Sequence, residues 1–170
     1  AGVAILLWIV VPSGERGYSE QKAARNGALA REATRTKGVP RLLIYRKRGH
    51  DVEELADRAE VRAKDVLQLR YLSGGARYGV VFSVDGHGAV NLHFPETVRD
   101  STALADGAAY TLPYAYELDD TPGFERFFFV TGSNPVDTAA LLEKGRALGT
   151  DLSRALPLRD GLTQTSVVLR

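Results

Sequence analysis

The sequence predicts a mainly β protein, an antiparallel β-sandwich or partly open barrel with one α-helix in its C-terminal half. Several short segments alternate apolar and polar residues, and turn residues rather than helical patterns separate them. Only one segment carries both a helix start and a helix stop signal. The chain has 170 residues, 44% of them hydrophobic, which is enough for one core. We expect an apolar helical stub over residues 1–12, a charged linker over residues 13–38 and a sandwich domain over residues 39–170.

The stub is an apolar run from Ala1 to Val11 that ends at Pro12. Eleven residues are too few to cross a bilayer, which needs roughly 20. The run is therefore the core of a signal peptide, a buried element of the domain, or the end of a spanning helix. The chain does not open on Met, and Trp8 lies where an interfacial aromatic residue is expected. These two observations favour the end of a transmembrane helix.

The linker interleaves alanines with basic residues and has no broad apolar face, and Asn26-Gly27 interrupts any helix. Between Glu15 and Arg48, ten Lys and Arg residues stand against three Glu residues. Beside a membrane span such a segment contacts anionic headgroups or marks a cytoplasmic flank; the favoured interpretation is a solvated linker. The whole chain has a net charge of +1, which favours no nucleic-acid partner.

The N-terminal half of the domain is predicted to form strands. Leu42 to Tyr45 is a short β-rich run, and Asp65 to Leu72 alternates as a half-buried strand does. The alternating segments Tyr78 to Val84 and Val90 to Phe94 flank Asp85-Gly86-His87-Gly88, which predicts a β-hairpin.

The next segments predict edge and central strands. Tyr110 to Leu112 and Tyr116 to Leu118 are short pieces around Pro113, as expected at a sheet edge. Phe124 to Thr131 contains four consecutive apolar residues and is therefore predicted to be a central strand buried on both faces.

One helix and one strand complete the domain. Asn134 is a candidate N-cap with Pro135 at the first helical position, and Gly149 follows Leu148 as a stop. The β-rich segment from Thr163 to Leu169 predicts a terminal strand.

Ordered landmarks between Arg62 and Pro135 suggest a family. They are Arg62-Ala63-Lys64-Asp65, Tyr78-Gly-Val-Val-Phe-Ser-Val-Asp85-Gly86, Val90-Asn-Leu-His-Phe-Pro95, Leu112-Pro113, Asp120-Thr-Pro122-Gly123-Phe-Glu125-Arg126 and Asn134-Pro135. With flanking strands, this pattern resembles a bacterial family of uncharacterised domains that lie C-terminal to caspase-like proteases, kinases or anti-sigma-factor zinc fingers. The departure is Ala63-Lys64, where the family more usually has Pro-Gly.

The resemblance implies an accessory, sensory or interaction module and supplies no catalytic residue or cofactor. The layout of stub, linker and domain resembles the C-terminal part of a membrane-anchored anti-sigma-factor-like protein. It implies a single-pass bacterial membrane protein with a periplasmic domain, a membrane contact through the stub and an unidentified protein partner.

The residues themselves offer little catalytic chemistry. The absence of cysteine excludes disulfides, thiol catalysis and Cys-based zinc sites. His50 and His87 lie in predicted loops, and His93 is expected to face solvent, opposite the apolar residues of its strand. Ser73-Gly74-Gly75 lacks the spacing of a nucleophile elbow and is expected to be a hairpin turn. We therefore predict no catalytic, metal-binding or cofactor-binding residues.

Two charged groups are candidate sites. Arg46, Lys47 and Arg48 form a compact basic cluster, either a solvated strand edge or a contact for an anionic partner or lipid. The densest acidic group is Asp119, Asp120 and Glu125. Because this group lacks the spacing of an EF-hand, turn carboxylates are a better interpretation than a calcium site.

Three functions remain open. The leading prediction is a non-catalytic, membrane-tethered sensory or protein-interaction domain of an anti-sigma-factor-like regulator. The second is a structural subunit of an envelope assembly, joined to its partner by strand pairing. The third is a ligand-binding or enzymatic domain with a cleft lined by tyrosines.

Overall fold

A computed structural model of the protein describes residues 38–120 and 123–170, so the predictions for residues 1–12 and 13–37 lie outside the described residues. The described chain forms eight strands and one helix: β1 (Arg41–Arg48), β2 (Asp51–Leu55), β3 (Val66–Leu72), β4 (Tyr78–Asp85), β5 (Val90–Phe94), β6 (Tyr110–Glu117), β7 (Glu125–Gly132), α1 (Thr138–Leu148) and β8 (Leu162–Leu169). Two four-stranded antiparallel sheets have the orders β2-β1-β3-β6 and β5-β4-β7-β8. The predicted mainly β sandwich with one helix is confirmed. Among the described residues, no helix is long and apolar enough to span a bilayer.

The second sheet is buried on both faces. Its inner face packs on the first sheet through Phe127 and Phe129, and its outer face packs on α1 through Phe82 and Phe128. The prediction of a central strand near residues 124–131 is confirmed, because β7 lies between β4 and β8. Two apolar layers on one sheet explain why β7 has no polar face.

The helix begins three residues later than its sequence signals predict. The side chain of Asp137, not of Asn134, caps α1 by accepting a hydrogen bond from the Ala140 amide at 3.0 Å. Before it, the Val136 amide donates to Thr102 Oγ1, so this residue is held outside the helix. The predicted stop at Gly149 is confirmed, since its amide caps the last turn.

Other segments differ from the prediction in which strands they join or in how far they extend. The charged strand β2 was not predicted, and β6 is one strand through Pro113 rather than two pieces. The Asp85 to Gly88 turn joins the neighbouring strands β4 and β5, which confirms that hairpin. The turn from Ser73 to Ala76 instead joins strands of different sheets, so its assignment to a hairpin was wrong.

The outer strands of both sheets carry features that discourage further pairing. Strand β2 has five residues and is charged, β5 also has five, and β6 contains Pro113. Strand β8 is longer and uncharged, but a loop covers part of its outer side: the Arg58 amide donates to Val168 O at 2.6 Å and the Arg170 amide to Ala59 O at 3.0 Å. A partner strand would have to displace this loop to pair along all of β8.

Candidate functional site

The predicted basic cluster is divided between the interior and the surface. Strand alternation turns Arg46 to the same side as the core residue Ile44, and the arginine is only 4% exposed. Its guanidinium lies 2.8 Å from both Glu53 Oε2 and Asp65 Oδ2 and donates to the carbonyl of Glu60. Arg46 is therefore a structural residue. Lys47 and Arg48 are exposed on the surface.

The predicted acidic group is also divided. Asp119 and Asp120 are exposed, whereas Glu125 begins β7 and is buried inside the sandwich. Among the residues that the structure describes, no group of three or more His, Asp or Glu side chains is arranged to hold a metal ion.

Glu125 belongs to a polar network that we call the interior network, formed by Ser83, Asn91, His93, Tyr116 and Glu125. Ser83 Oγ lies 2.9 Å from His93 Nε2, and the same hydroxyl hydrogen-bonds to Glu125. Tyr116 donates to Glu125 Oε1 at 3.3 Å, and Asn91 donates to the Tyr116 hydroxyl at 3.4 Å. Because Tyr116 belongs to the first sheet and the other four residues to the second, the network connects the two sheets.

The expectation that His93 faces solvent was wrong. Its ring packs edge-on against Tyr116, with centroids 4.8 Å apart, and lies 5.5 Å from Phe127. The alternation of β5 was correctly recognised, but Val90 and Leu92 face α1, so the opposite face of β5 points between the sheets. Only knowledge that α1 covers this sheet would have placed His93 inside.

Burial changes the ionisation of the interior network. It raises the pKa of Glu125 to about 7, and the nearby Asp85 carboxylate acts in the same direction, against the hydrogen bond from Ser83. Burial also raises the pKa of Tyr116 and lowers that of His93 to about 4. At neutral pH the imidazole is therefore uncharged, while Glu125 is close to its titration midpoint.

The order of groups in this network differs from that of a serine hydrolase. In a catalytic triad the acid orients the histidine, and the serine reaches the substrate. Here the hydroxyl of Ser83 lies between the imidazole and the carboxyl group, and Ser83 is 0% exposed. The hydroxyl of Ser83 therefore has no access to a substrate.

The opposite end of the sandwich has a cleft of about 860 Å³, which we call the end cleft. Two loops form its walls, one between β3 and β4 and one between β5 and β6, together with Gly38, Val39 and Arg41. The lining residues that matter here are Val39, Arg41, Leu72, Arg77, Tyr78 and Leu104.

Buried contacts hold the walls of the end cleft. The Ala105 amide donates to the hydroxyl of the buried Tyr71 at 2.9 Å, which fixes one loop. In the other loop, the Ala76 amide bonds to Ser73 O, and Gly74 and Gly75 both have positive φ. A Cβ atom on Gly74 would lie 2.4 Å from Gly38 O, so only glycine permits this packing against the first described residues.

The charge of the end cleft comes mainly from two arginines. Arg41 and Arg77 are exposed, and neither forms an ion pair with a residue that the structure describes. The Arg77 guanidinium lies 5.7 Å from the centroid of the Tyr78 ring, a cation–π distance. Asp106 also lines the cleft, and its carboxylate accepts the Gly107 amide at 2.9 Å. No sequence pattern marks this site, because its residues come from segments far apart in the chain.

No protein family, curated protein or solved structure matches this chain.

Proposed function

We propose that the protein is a non-catalytic sensory or interaction domain, tethered to a bacterial cell membrane by residues 1–12, and that the end cleft is its binding site. The observation that carries this proposal is the position of the cleft. Gly38 and Val39 line it, and through these residues the linker joins the domain. A ligand in the cleft therefore contacts the connection between the domain and its tether.

Because of this position, a ligand bound in the end cleft can affect the rest of the protein. The loop at Gly74 packs directly on Gly38, Val39 and Pro40. A ligand that prefers one arrangement of this loop shifts the position of the first described residues, since the two backbones are in contact. Residues 38–40 would then pass the bound state to the linker.

The proposed role in a regulatory protein is based on the sequence. The resemblance over residues 62–135 and the order of stub, linker and domain support the periplasmic part of an anti-sigma-factor-like regulator. An envelope subunit that joins its partner by strand pairing has less support, because the outer strands carry the protective features described above.

Site-specific photo-crosslinking in bacterial cells tests the proposal. A crosslinking residue is placed in the full-length protein at Val39, which is 75% exposed in the end cleft, or at Val52, which is 56% exposed on β2. We expect a defined adduct from position 39 and none from position 52, with the protein in the membrane fraction after alkaline extraction. An adduct from position 52 alone would contradict the proposed site, and release by alkaline extraction would contradict the tether.

A further inference from the structure

We infer that the end cleft binds an anionic amphiphile, a ligand with a phosphate group and an apolar part. The inference rests on the proposed function, because it names the ligand class for the same cleft. Its basis is the combination, in one concave site, of two arginines without carboxylate partners, the exposed Val39 and half-buried apolar side chains.

The arginines provide the anion-binding half of the site. A guanidinium presents a planar set of donors that matches the oxygens of a phosphate group. Arg41 and Arg77 reach the cleft from different elements, β1 and the loop before β4. Because neither is paired with a described residue, a bound phosphate does not have to displace an internal carboxylate.

The apolar lining provides the other half of the site. Val39 is 75% exposed, and Leu72, Leu104 and Tyr78 border the same space. A volume of about 860 Å³ lies within the usual range of small-molecule sites, which are largely apolar with a few polar groups. A free inorganic ion would leave this apolar surface in water, whereas an acyl or glyceryl group would cover it.

The charge of the neighbouring linker argues against the linker as the occupant. Residues 16–37 contain six Lys or Arg residues and two Glu residues, so the segment has the same sign as the cleft. Like charges disfavour its docking, whereas an anionic ligand is attracted by both. A lipid headgroup and a soluble phosphate ester share the phosphate chemistry but not the apolar part, and the test separates them.

The test uses the full-length protein in phosphatidylcholine nanodiscs and follows the methyl NMR signals of Val39 and Leu104. One arm adds phosphatidylglycerol to the discs, and the other adds soluble glycerol phosphate. The protein is compared with the double variant Arg41→Gln/Arg77→Gln. The control Arg154→Gln/Arg159→Gln removes two exposed arginines outside the residues that line the end cleft. Unchanged methyl signals from Leu141 in the core under α1 verify that each variant is folded.

We expect phosphatidylglycerol to shift the signals of Val39 and Leu104 in the wild type and in the control. In the cleft variant the apparent affinity should fall about tenfold or more, because charge-assisted hydrogen bonds are lost. Equal affinity in the cleft variant, or no shift in either arm, would overturn the inference. Equal binding of glycerol phosphate would overturn its apolar part. If the NMR test fails while crosslinking from Val39 persists, only the ligand class is wrong; if crosslinking is also lost, the proposed site is wrong.

Discussion

Glu125 and His93 belong to one network, yet their ionisation affects stability in opposite directions. The folded state raises the pKa of Glu125 from 4.5 to about 7, so its contribution is present at acid pH and is lost as pH rises through 7. The folded state lowers the pKa of His93 from 6.5 to about 4, so its contribution is present above 6.5 and is lost as pH falls through 4. Between pH 4.5 and 6.5 the two contributions to the free energy of unfolding change with pH in opposite directions and largely cancel.

Substituting either residue should expose the pH dependence of the other. In Glu125→Gln, the free energy of unfolding should rise between pH 4 and 6.5, because only the His93 contribution remains. In His93→Gln, it should fall between pH 4.5 and 7, by up to about 3 kcal/mol given roughly 1.4 kcal/mol for each pKa unit. Urea unfolding across this pH range measures both. Parallel curves for the two variants would contradict the assigned ionisation.

Arg46 should contribute to the stability of the fold rather than to recognition at the surface. Arg46→Gln leaves the largely buried Asp65 without its cation and should lower the free energy of unfolding by about 2 kcal/mol, whereas Glu53 is 52% exposed and stays hydrated. Arg48→Gln, on the exposed end of the same strand, should change it by less than about 0.5 kcal/mol. Equal losses in chemical denaturation would show that the predicted basic cluster acts as one unit.

At the scale of elements, the β3–β4 turn depends on glycine for two separable reasons. Gly74 and Gly49 have nearly the same φ, +58° and +60°, but only Gly74 lies against other backbone. Gly74→Ala should therefore destabilise the protein by at least about 1 kcal/mol more than Gly49→Ala, because the added methyl group collides with residues 38–40. Thermal unfolding of the two variants makes the comparison. Equal losses would show that the close approach is unimportant.

The start of α1 gives a second comparison at this scale. Asp137→Ala should lower the free energy of unfolding by about 1 kcal/mol, the usual effect of losing an N-cap, and Asn134→Ala should have little effect. Urea denaturation of the two variants distinguishes them. The reverse order would place the cap at the position that the sequence alone favoured.

Elements with regular alternation, or with recognisable turn or stop residues at their ends, were predictable from the sequence. The hairpin of β4 and β5, the buried strand β7 and the helix stop at Gly149 all have local causes. Strand β2 was missed because its stability comes from pairing with β1 and from the ion pair to Arg46, neither of which a charged pentapeptide reveals. His93 was misplaced because only the packing of α1 on Val90 and Leu92 shows that the opposite face of β5 lies between the sheets.

At the scale of the whole molecule, the two ends of the sandwich have different properties. One end contains the interior network, which connects the sheets through buried hydrogen bonds. The other contains the end cleft, where exposed arginines and apolar side chains meet the first described residues. The proposed function assigns binding to the cleft end and structural support to the other. The sequence did not reveal the cleft, because Arg41 and Arg77 become neighbours only after two sheets have assembled.

Hydrogen–deuterium exchange of the full-length protein, in bacterial membranes and in detergent, tests the assignment of binding to the cleft end most directly. The account predicts slower exchange in membranes for residues 38–41, 73–77 and 103–107, which surround the end cleft. Residues 85–91 and 119–120, at the other end of the sandwich, should exchange equally in both conditions. Protection confined to that other end, or to Lys47 and Arg48, would contradict the account.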